Sequence, residues 1–434
     1  MFTYYLDLAL RSLKRNRVLT TLMVLALGLG IGACITTLTV LRLLSGDPLP
    51  QKSSQLFYER IDPAPKDGYV AGQTKPPPLM TYVDAMNLLQ AHRAARQAAV
   101  ALTQVKVTPR SSDGRPFYSD GVMTTADFFP MFDVPFQYGG SWTAADDESR
   151  VSLVVIAGVL NDKLFGGANS VGKVIRLNDH DFRIVGVLKP WSPQPRFYAQ
   201  GLGGHSYGDG DAVFVPLKAA RAEQMGPKSI GCFGAMSDTS RIESAPCYWL
   251  GFWAELDSAS SAKSYKEFLS GYVRQQIALG RFQRSETSML DLMAWLHERH
   301  VVPDDARLQA ALAFGFLLIC VLNTVGLLLA KCLRRSREIG VRRALGATRG
   351  AIFVQFMVEA SIVGLAGGVL GFLFAELGLL GIRHQPADYA SLARLNLPMF
   401  AFTFLVAIIA SLVAGLLPAW RACVLAPAPQ LKAA

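Results

Sequence analysis

Residues 308–350 read LQAALAFGFLLICVLNTVGLLLAKCLRRSREIGVRRALGATRG, a long apolar segment followed directly by a basic one. Its first 23 residues carry no charged side chain, whereas the next 20 carry seven Lys or Arg side chains and one acid, Glu338. An α-helix rises about 1.5 Å per residue, so about 20 apolar residues cross the hydrocarbon core of a bilayer. The stretch therefore predicts a membrane-spanning helix that runs directly into a strongly basic connection.

Three further segments share this length and apolar character. Residues 18–41 and 395–420 hold no charged side chain, and residues 350–375 hold only Glu359. Across all 434 residues, 51% are hydrophobic and 18% are charged, whereas an average soluble protein has about 25% charged residues. The first segment is longer than the apolar core of a cleaved signal peptide, about 7–15 residues, so we interpret it as an uncleaved anchor. The sequence predicts transmembrane helices at residues 18–44, 307–330, 351–381 and 397–419.

Basic side chains gather in short segments beside these helices. Residues 1–17, 331–350 and 420–434 together hold 13 Lys or Arg but two acids, whereas residues 382–396 hold two Lys or Arg. The positive-inside rule therefore places both termini and the 331–350 loop in the cytoplasm and the short 382–396 loop outside. Residues 45–306 then lie outside, with 26 basic and 28 acidic side chains. The net charge of +10 thus arises at the membrane face, which disfavours a nucleic-acid surface and favours anionic lipid or a cytoplasmic partner.

The outer segment shows a mixed pattern of strands and amphipathic helices. We predict an α-helical membrane protein with four transmembrane helices and a large extracytoplasmic α+β domain, residues 45–306. This domain is expected to have two subdomains, one of them a β-rich insert at about residues 110–215. Residues 289–296 are predicted to be helical. Cys232 and Cys247 are the only cysteines of the domain and face an oxidising compartment, which predicts a disulfide, with two free thiols as the alternative.

Three short motifs suggest chemistry, and each lacks the context that the chemistry requires. Residues 167–173 match the front of a phosphate-binding loop, but Val174 replaces the magnesium-binding Ser or Thr and a strand follows. Ser206 lies in a Gly-x-Ser-x-Gly sequence with no helix after it. His297 and His300 lack a third metal ligand. We therefore expect no catalytic residue, no bound cofactor and no metal site in this chain.

The basic connection has the sequence of a short amphipathic helix. Ser336 is predicted to cap its N-terminus, and Glu338 and Arg342 have the spacing of a favourable ion pair. Gly346 suits a left-handed end, and Thr348 suits the start of the next helix. An apolar stripe on this helix is formed by Val341 and Leu345. The stripe fits docking into a groove of a partner, or a basic loop that touches lipid, and the residues alone leave both open.

Polar and small residues also occur within the apolar segments. Small residues let membrane helices approach closely, either at a dimer interface or within one subunit, and residues 364–371 contain four such glycines: Gly364, Gly367, Gly368 and Gly371. Glu359 is an intramembrane acid and hence a functional candidate, although interfacial pairing with Arg342 or Arg349 is the alternative.

Several stretches resemble ABC transporter permeases of the MacB/FtsX type. The cytoplasmic motif SREIGVRRALGATRGAIFVQFMVEA at residues 336–360 is followed by GLAGGVLG at residues 364–371. The tail LLPAWRACVLAPAPQLKAA at residues 416–434 and LFGGANSVGKVIRLNDHDFRIVGVL at residues 164–188 resemble the C-terminus and the periplasmic core domain of that family. Asn323 lies where these permeases often carry an Asn in the second helix.

The resemblance implies a permease subunit in the bacterial inner membrane. A separate ABC ATPase, which binds the ATP and Mg²⁺, is expected to drive it, since only 17 residues precede the first helix. The N-terminal amphipathic segment and the connecting loop would contact that ATPase, so this chain itself would not be an enzyme. By match to the family motif, the coupling residues are Arg337, Glu338, Gly340, Arg342, Arg343, Ala344, Leu345 and Gly346.

The resemblance also implies partners and a substrate class. The partners expected are a second permease copy or a homologous permease, membrane lipid, and a periplasmic adaptor with an outer-membrane channel. The substrate expected is hydrophobic or peptide-like: an antibiotic, toxin, lipid or lipoprotein. The alternative is an FtsX-like subunit that signals to a periplasmic partner without transport. A membrane-anchored hydrolase that uses Ser206 is a third, weaker alternative.

Overall fold

A computed structural model describes residues 8–9, 11–13, 15–65, 75–109, 115–233, 241–386, 388–395 and 397–424. The predicted N-terminal segment 1–17 is therefore described only in part. The tail after residue 424, the start of the predicted insert at residues 110–114 and the side chain of Arg337 lie outside the described residues. The chain forms two compact units: a helical unit of Met1–Ser45 with Val302–Ala434, and an α+β unit of Gly46–Val301.

The described residues contain the following helices and strands. The helices are α1 (Arg17–Ser45), α2 (Tyr82–Ala91), α3 (Phe128–Met131), α4 (Ala144–Glu148), α5 (Gly158–Phe165), α6 (Leu217–Ala222), α7 (Ala259–Ala278), α8 (Leu292–Glu298), α9 (Asp304–Arg334), α10 (Ser336–Ala344), α11 (Arg349–Arg383) and α12 (Leu397–Val424). The strands are β1 (Leu56–Ile61), β2 (Met80–Thr81), β3 (Arg96–Thr108), β4 (Phe117–Thr124), β5 (Phe136–Gly139), β6 (Leu153–Ala157), β7 (Val174–Leu177), β8 (His180–Leu188), β9 (Val213–Pro216), β10 (Gly231–Cys232), β11 (Cys247–Glu255) and β12 (Thr287–Asp291).

In the helical unit, four helices of the described residues are long and apolar enough to cross a membrane: α1, α9, α11 and α12. Helix α11 packs against both α1 and α12, and α9 packs against α1 and α12. The four predicted glycines lie on two faces of α11. A methyl group added at Gly364 would lie 2.2 Å from Ser411 of α12, and one added at Gly371 would lie 2.8 Å from Ile31 of α1. Gly368 likewise faces α12 and Gly367 faces α1, so these glycines serve packing within one subunit.

The α+β unit is built on one twelve-stranded sheet within the described residues. Its main strand order is β12-β1-β11-β3-β4-β9-β6-β8-β5. The predicted insert supplies β4 to β9 at one end of this sheet together with helices α3, α4 and α5. It joins the rest of the sheet where β3 pairs antiparallel with both β4 and β7. Strands β4 and β9 run parallel, as do β6 and β8, so the sheet is mixed.

Both faces of the sheet are covered by apolar side chains. Phe252 of β11 belongs to a buried cluster with Leu88 of α2 and Leu269 of α7. The next residue, Trp253, makes edge contacts with Phe132 and Phe197. Successive side chains of a strand point to opposite faces, so helices cover one face and an aromatic cluster covers the other.

The structure corrects the prediction of a helix at residues 289–296. Residues Thr287–Asp291 are a strand, because they pair with β1 at the edge of the sheet. The helix begins only at Leu292, and the carboxylate of Asp291 caps it by accepting from the Ala294 N–H at 2.8 Å. An Asp at this position is a strong helix start signal, which periodicity alone did not reveal.

Candidate coupling site

The connection between α9 and α11 is a short helix that is almost continuous with α9. Helix α9 ends at Arg334 and α10 begins at Ser336, so Arg335 alone separates them. The prediction that Ser336 caps α10 is wrong, because Arg335 occupies the cap position and no side chain bonds the first N–H groups there. A one-residue junction leaves no room for the extended backbone that a capping Ser requires.

The other end of α10 follows the prediction. Gly346 has a φ of 100°, a backbone conformation that favours glycine, and it directly follows the cap residue Leu345. Thr348 Oγ1 accepts a hydrogen bond from the Ala351 N–H at 3.2 Å, and α11 begins at Arg349. Both turn predictions are confirmed, and together they hold α10 between two membrane-spanning helices.

One side of α10 is buried. Ile339 is 7% exposed and belongs to a cluster with Cys332 of α9, Ile352 and Phe356 of α11, and Ala419 of α12. Sequence reasoning missed Ile339. The available signal was its spacing from Val341, because two residues two positions apart on a helix point about 200° apart and cannot both face the same surface.

The opposite side of α10 is open. Val341 is 44% exposed and Leu345 is 83% exposed. Arg342 forms a salt bridge with Glu338 at 2.7 Å and donates to Gln355 Oε1 of α11 at 3.2 Å. Of the other predicted coupling residues, Gly340 is buried, Arg343 is half-buried, and Ala344 and Gly346 are exposed. The described side therefore presents two apolar side chains beside arginines.

A buried polar network lies at the base of α10. Glu359 Oε1 of α11 accepts from Lys331 Nζ of α9 and from Ser12 Oγ at 2.7 Å. Arg335 Nη1 at the α9–α10 junction donates to Ser12 Oγ in turn. The side chains of Lys331 and Glu359 are each 1% exposed. The network thus ties the N-terminal segment, α9, α11 and the start of α10 to one carboxylate.

This network corrects the expected partner of Glu359. The sequence suggested Arg342 or Arg349, but the cation at Glu359 is Lys331, in the last turn of α9. Arg342 is engaged instead by Glu338 and Gln355. In the sequence, Lys331 is simply the first basic residue after an apolar segment. Its burial depends on how α9 meets α11, which no spacing along the chain encodes.

The remaining predicted residues lie elsewhere. Asn323 lies on an exposed face of α9. Cys232 and Cys247 are bonded as a disulfide between the paired strands β10 and β11. Ser206 Oγ donates to Gln200 Oε1 at 3.2 Å, and no group of three or more metal-binding side chains occurs in the part of the chain that the structure describes.

Four helices that are long and apolar enough to cross a membrane, together with a large α+β unit, are the features of a multi-pass membrane protein. Residues 20–265 match the MacB-like periplasmic core domain, and residues 310–427 match the FtsX-like permease C-terminal domain. The chain belongs to the MacB-type family of ABC transporter permeases, which are inner-membrane proteins, and its α+β unit is the extracytoplasmic domain.

The individual relatives that are similar to this chain have low sequence identity to it. The chain is 25% identical over 311 residues to the uncharacterized ABC transporter permease YvrN of Bacillus subtilis, covering 70% of this chain and 68% of YvrN. It is 22% identical over 440 residues to the macrolide export ATP-binding/permease protein MacB of Chlorobaculum tepidum, covering 98% of this chain and 60% of that relative. The periplasmic region of MacB from Actinobacillus actinomycetemcomitans aligns with 58% of this chain and 94% of that structure at 11% identity, with a TM-score of 0.36.

Proposed function

We propose that this chain transmits ATP-driven motion from a cytoplasmic ABC ATPase to its extracytoplasmic domain, with α10 as the contact. The observation that carries this proposal is that one side of α10 is buried and the opposite side is exposed. Ile339 anchors the helix among the ends of α9, α11 and α12, whereas Val341 and Leu345 remain exposed beside Arg342. An exposed apolar stripe on a firmly held helix suits insertion into a groove of a partner.

The proposed orientation places α10 and both chain termini in the cytoplasm. The 13 basic side chains of the terminal and connecting segments support it through the positive-inside rule. We propose further that the ATPase is a separate chain that binds the ATP and Mg²⁺. The name of the relative YvrN, which is called a permease, supports this, although the C. tepidum relative is named ATP-binding/permease protein.

The proposed path of transmission runs through the base of α10. A force on α10 reaches α11 and α12 through Ile339, and it reaches α9 and the N-terminal segment through Arg335 and Ser12. Because packed interiors resist compression, these contacts move as a unit. Export of a hydrophobic or peptide-like molecule, such as an antibiotic, toxin, lipid or lipoprotein, is the proposed outcome, with an adaptor and an outer-membrane channel as further partners. The printed name of the macrolide export relative supports an export role.

We also propose that two permease subunits pair through α9. Asn323 is exposed on that helix, and an amide facing lipid is costly, whereas a second subunit offers it a hydrogen bond. Oxidative cross-linking of Asn323→Cys in membranes is expected to give a covalent dimer. Val369→Cys on α11, which is also exposed, is the matched control and is expected to stay monomeric. Equal cross-linking of both variants would exclude α9 as a specific interface.

The central test is co-purification of this chain with a candidate ABC ATPase from the same organism, co-expressed with it. Leu345→Asp and the double variant Arg342→Glu with Arg343→Glu are expected to lose the ATPase. Leu279→Asp, at a position of the extracytoplasmic domain that is 66% exposed against 83% for Leu345, is expected to keep it. If all variants retain the ATPase, the contact lies outside α10. If the wild type binds no ATPase, ATP-driven transport loses its support. The alternative, a subunit that signals to a periplasmic partner without transport, is then favoured.

A further inference from the structure

The extracytoplasmic domain contains a cleft of about 350 Å³ that the coupling site does not use. Its walls come from four separate parts of the chain: α2 with the start of β3, the loop after β4, α4, and the start of α6. Met86, Leu89 and Leu217 line it together with several alanines. A mostly apolar cleft of this size matches the lower end of small-molecule sites, about 300–1,000 Å³.

The charged groups that face the cleft are mainly acidic. Asp127, Asp147 and Glu148 line it, against Lys218 and the ring of His92. Lys218 is already paired with Glu148. Neither Asp127 nor Asp147 forms a salt bridge with any residue in the described ranges. When Asp147 is ionised, the acids that line the cleft therefore outnumber its one lysine, beside an apolar lining.

Asp147 is the most buried of these acids. It is 7% exposed, and it accepts hydrogen bonds from the Trp142 indole N–H at 2.9 Å and the Ala126 N–H at 2.7 Å. These two donors fix the carboxylate in the cleft wall without neutralising its charge. Burial raises the pKa of Asp147 to about 7, because the low-dielectric surroundings disfavour the charged form.

We propose that this cleft binds a small apolar molecule that carries a single amine cation, with the cation beside Asp147 and Asp127 and the apolar body against Met86, Leu89 and Leu217. The complementarity is both electrostatic and apolar, since a cation compensates the unpaired acids and the hydrocarbon body removes apolar surface from water. This proposal rests on the proposed transport function in one respect only, namely that the ligand is the transported molecule. Binding itself requires no ATPase.

The proposed contact makes affinity depend on pH. A cation is attracted to the ionised carboxylate, so binding is expected to strengthen as Asp147 loses its proton. With a pKa of about 7, ionisation rises about ten-fold between about pH 6 and about pH 8, and affinity is expected to rise similarly. His92 lies at the exposed rim of the cleft. Asp147→Asn removes the contribution of Asp147 to the pH dependence and leaves His92 in place.

The test uses the full chain in detergent and two dansyl probes that differ in charge. Dansylcadaverine carries an amine cation, and dansyl aminocaproate carries a carboxylate on a similar body. Fluorescence anisotropy is expected to show saturable binding of the cationic probe at least ten-fold tighter than that of the anionic probe. Asp147→Asn is expected to remove most of the pH dependence of that binding.

A second variant keeps the test decisive if Asp147→Asn does not fold. Ala95→Trp places a bulky ring at the exposed rim of the cleft and is expected to abolish saturable binding. Ala259→Trp, at an exposed alanine of α7 away from the cleft lining, is expected to bind as the wild type does. Unchanged binding in Ala95→Trp, or equal affinity for both probes, would overturn the proposal. Neither result depends on whether the ATPase co-purifies, so the two proposals fail separately.

Discussion

The Lys331 ammonium group in α9 donates to the Glu359 carboxylate in α11, and both side chains are sealed from solvent in the helical unit. Removing one partner of such a pair leaves an uncompensated buried charge, which typically costs about 3–5 kcal/mol. Replacing both partners by apolar residues removes the charges together and costs much less.

We therefore expect Lys331→Met to lower the thermal stability of the purified chain strongly. The double variant Lys331→Met with Glu359→Leu is expected to recover much of that loss, measured as the midpoint of thermal unfolding in the same detergent. If the double variant is less stable than Lys331→Met, the ion pair is not the dominant interaction of these two side chains.

The close approach of α11 to α12 leads to a second prediction. A methyl group at Gly364 would lie 2.2 Å from Ser411, so Gly364→Ala is expected to destabilise the helical unit by about 1–3 kcal/mol through overpacking. Gly315 in α9 is the matched control, because a methyl group there has nothing within 4 Å. Gly315→Ala is expected to be neutral or to stabilise its helix by up to about 1 kcal/mol. The midpoints of thermal unfolding of Gly364→Ala and Gly315→Ala are compared. Equal effects of the two variants would contradict overpacking of Gly364→Ala against Ser411.

The raised pKa of Asp147 leads to a third prediction about stability. The folded state holds the proton of this carboxyl more tightly than the unfolded chain does, so its contribution to stability falls as pH rises from about 4 to about 7. Asp147→Asn removes this dependence. The unfolding midpoint of the variant minus that of the wild type is therefore expected to increase between about pH 5 and about pH 8. Burial also raises the pKa of Glu59, but that residue is present in both proteins and cancels in the difference. If the difference between the two unfolding midpoints does not change with pH, the pKa of Asp147 is not raised in the folded state.

The disulfide leads to a fourth prediction. Cys232 and Cys247 are 15 positions apart, and closing a loop of this length contributes about 3 kcal/mol in the chain-entropy account. The double variant Cys232→Ala with Cys247→Ala is expected to lose about that amount while still binding the ATPase, because the bond lies in the extracytoplasmic domain. Reducing agent is expected to destabilise the wild type and leave the double variant unchanged. Loss of ATPase binding in the double variant would show that this domain influences the coupling site.

Local patterns predicted much of the membrane-embedded part. The apolar segment at residues 18–41 became α1, Arg17–Ser45, because length and hydropathy belong to contiguous residues. The turn at Gly346 and the cap at Thr348 were equally local and were predicted correctly. The prediction failed at Ser336 and at residues 289–296, where the length of α9 and pairing with β1 overrode local preference.

The membrane-spanning segments, the position of the basic connection and the extent of its helix were predictable from the sequence, because these properties depend on neighbouring residues along the chain. The tertiary structure alone decided that Ile339 rather than Val341 is buried, that Lys331 rather than Arg342 pairs with Glu359, and that four distant segments enclose the cleft around Asp147. Lys331 and Glu359 are 28 positions apart, and Ser12 and Glu359 are 347 apart. Burial and ion pairing at such separations depend on how helices and strands pack, which a periodic pattern in one segment does not specify.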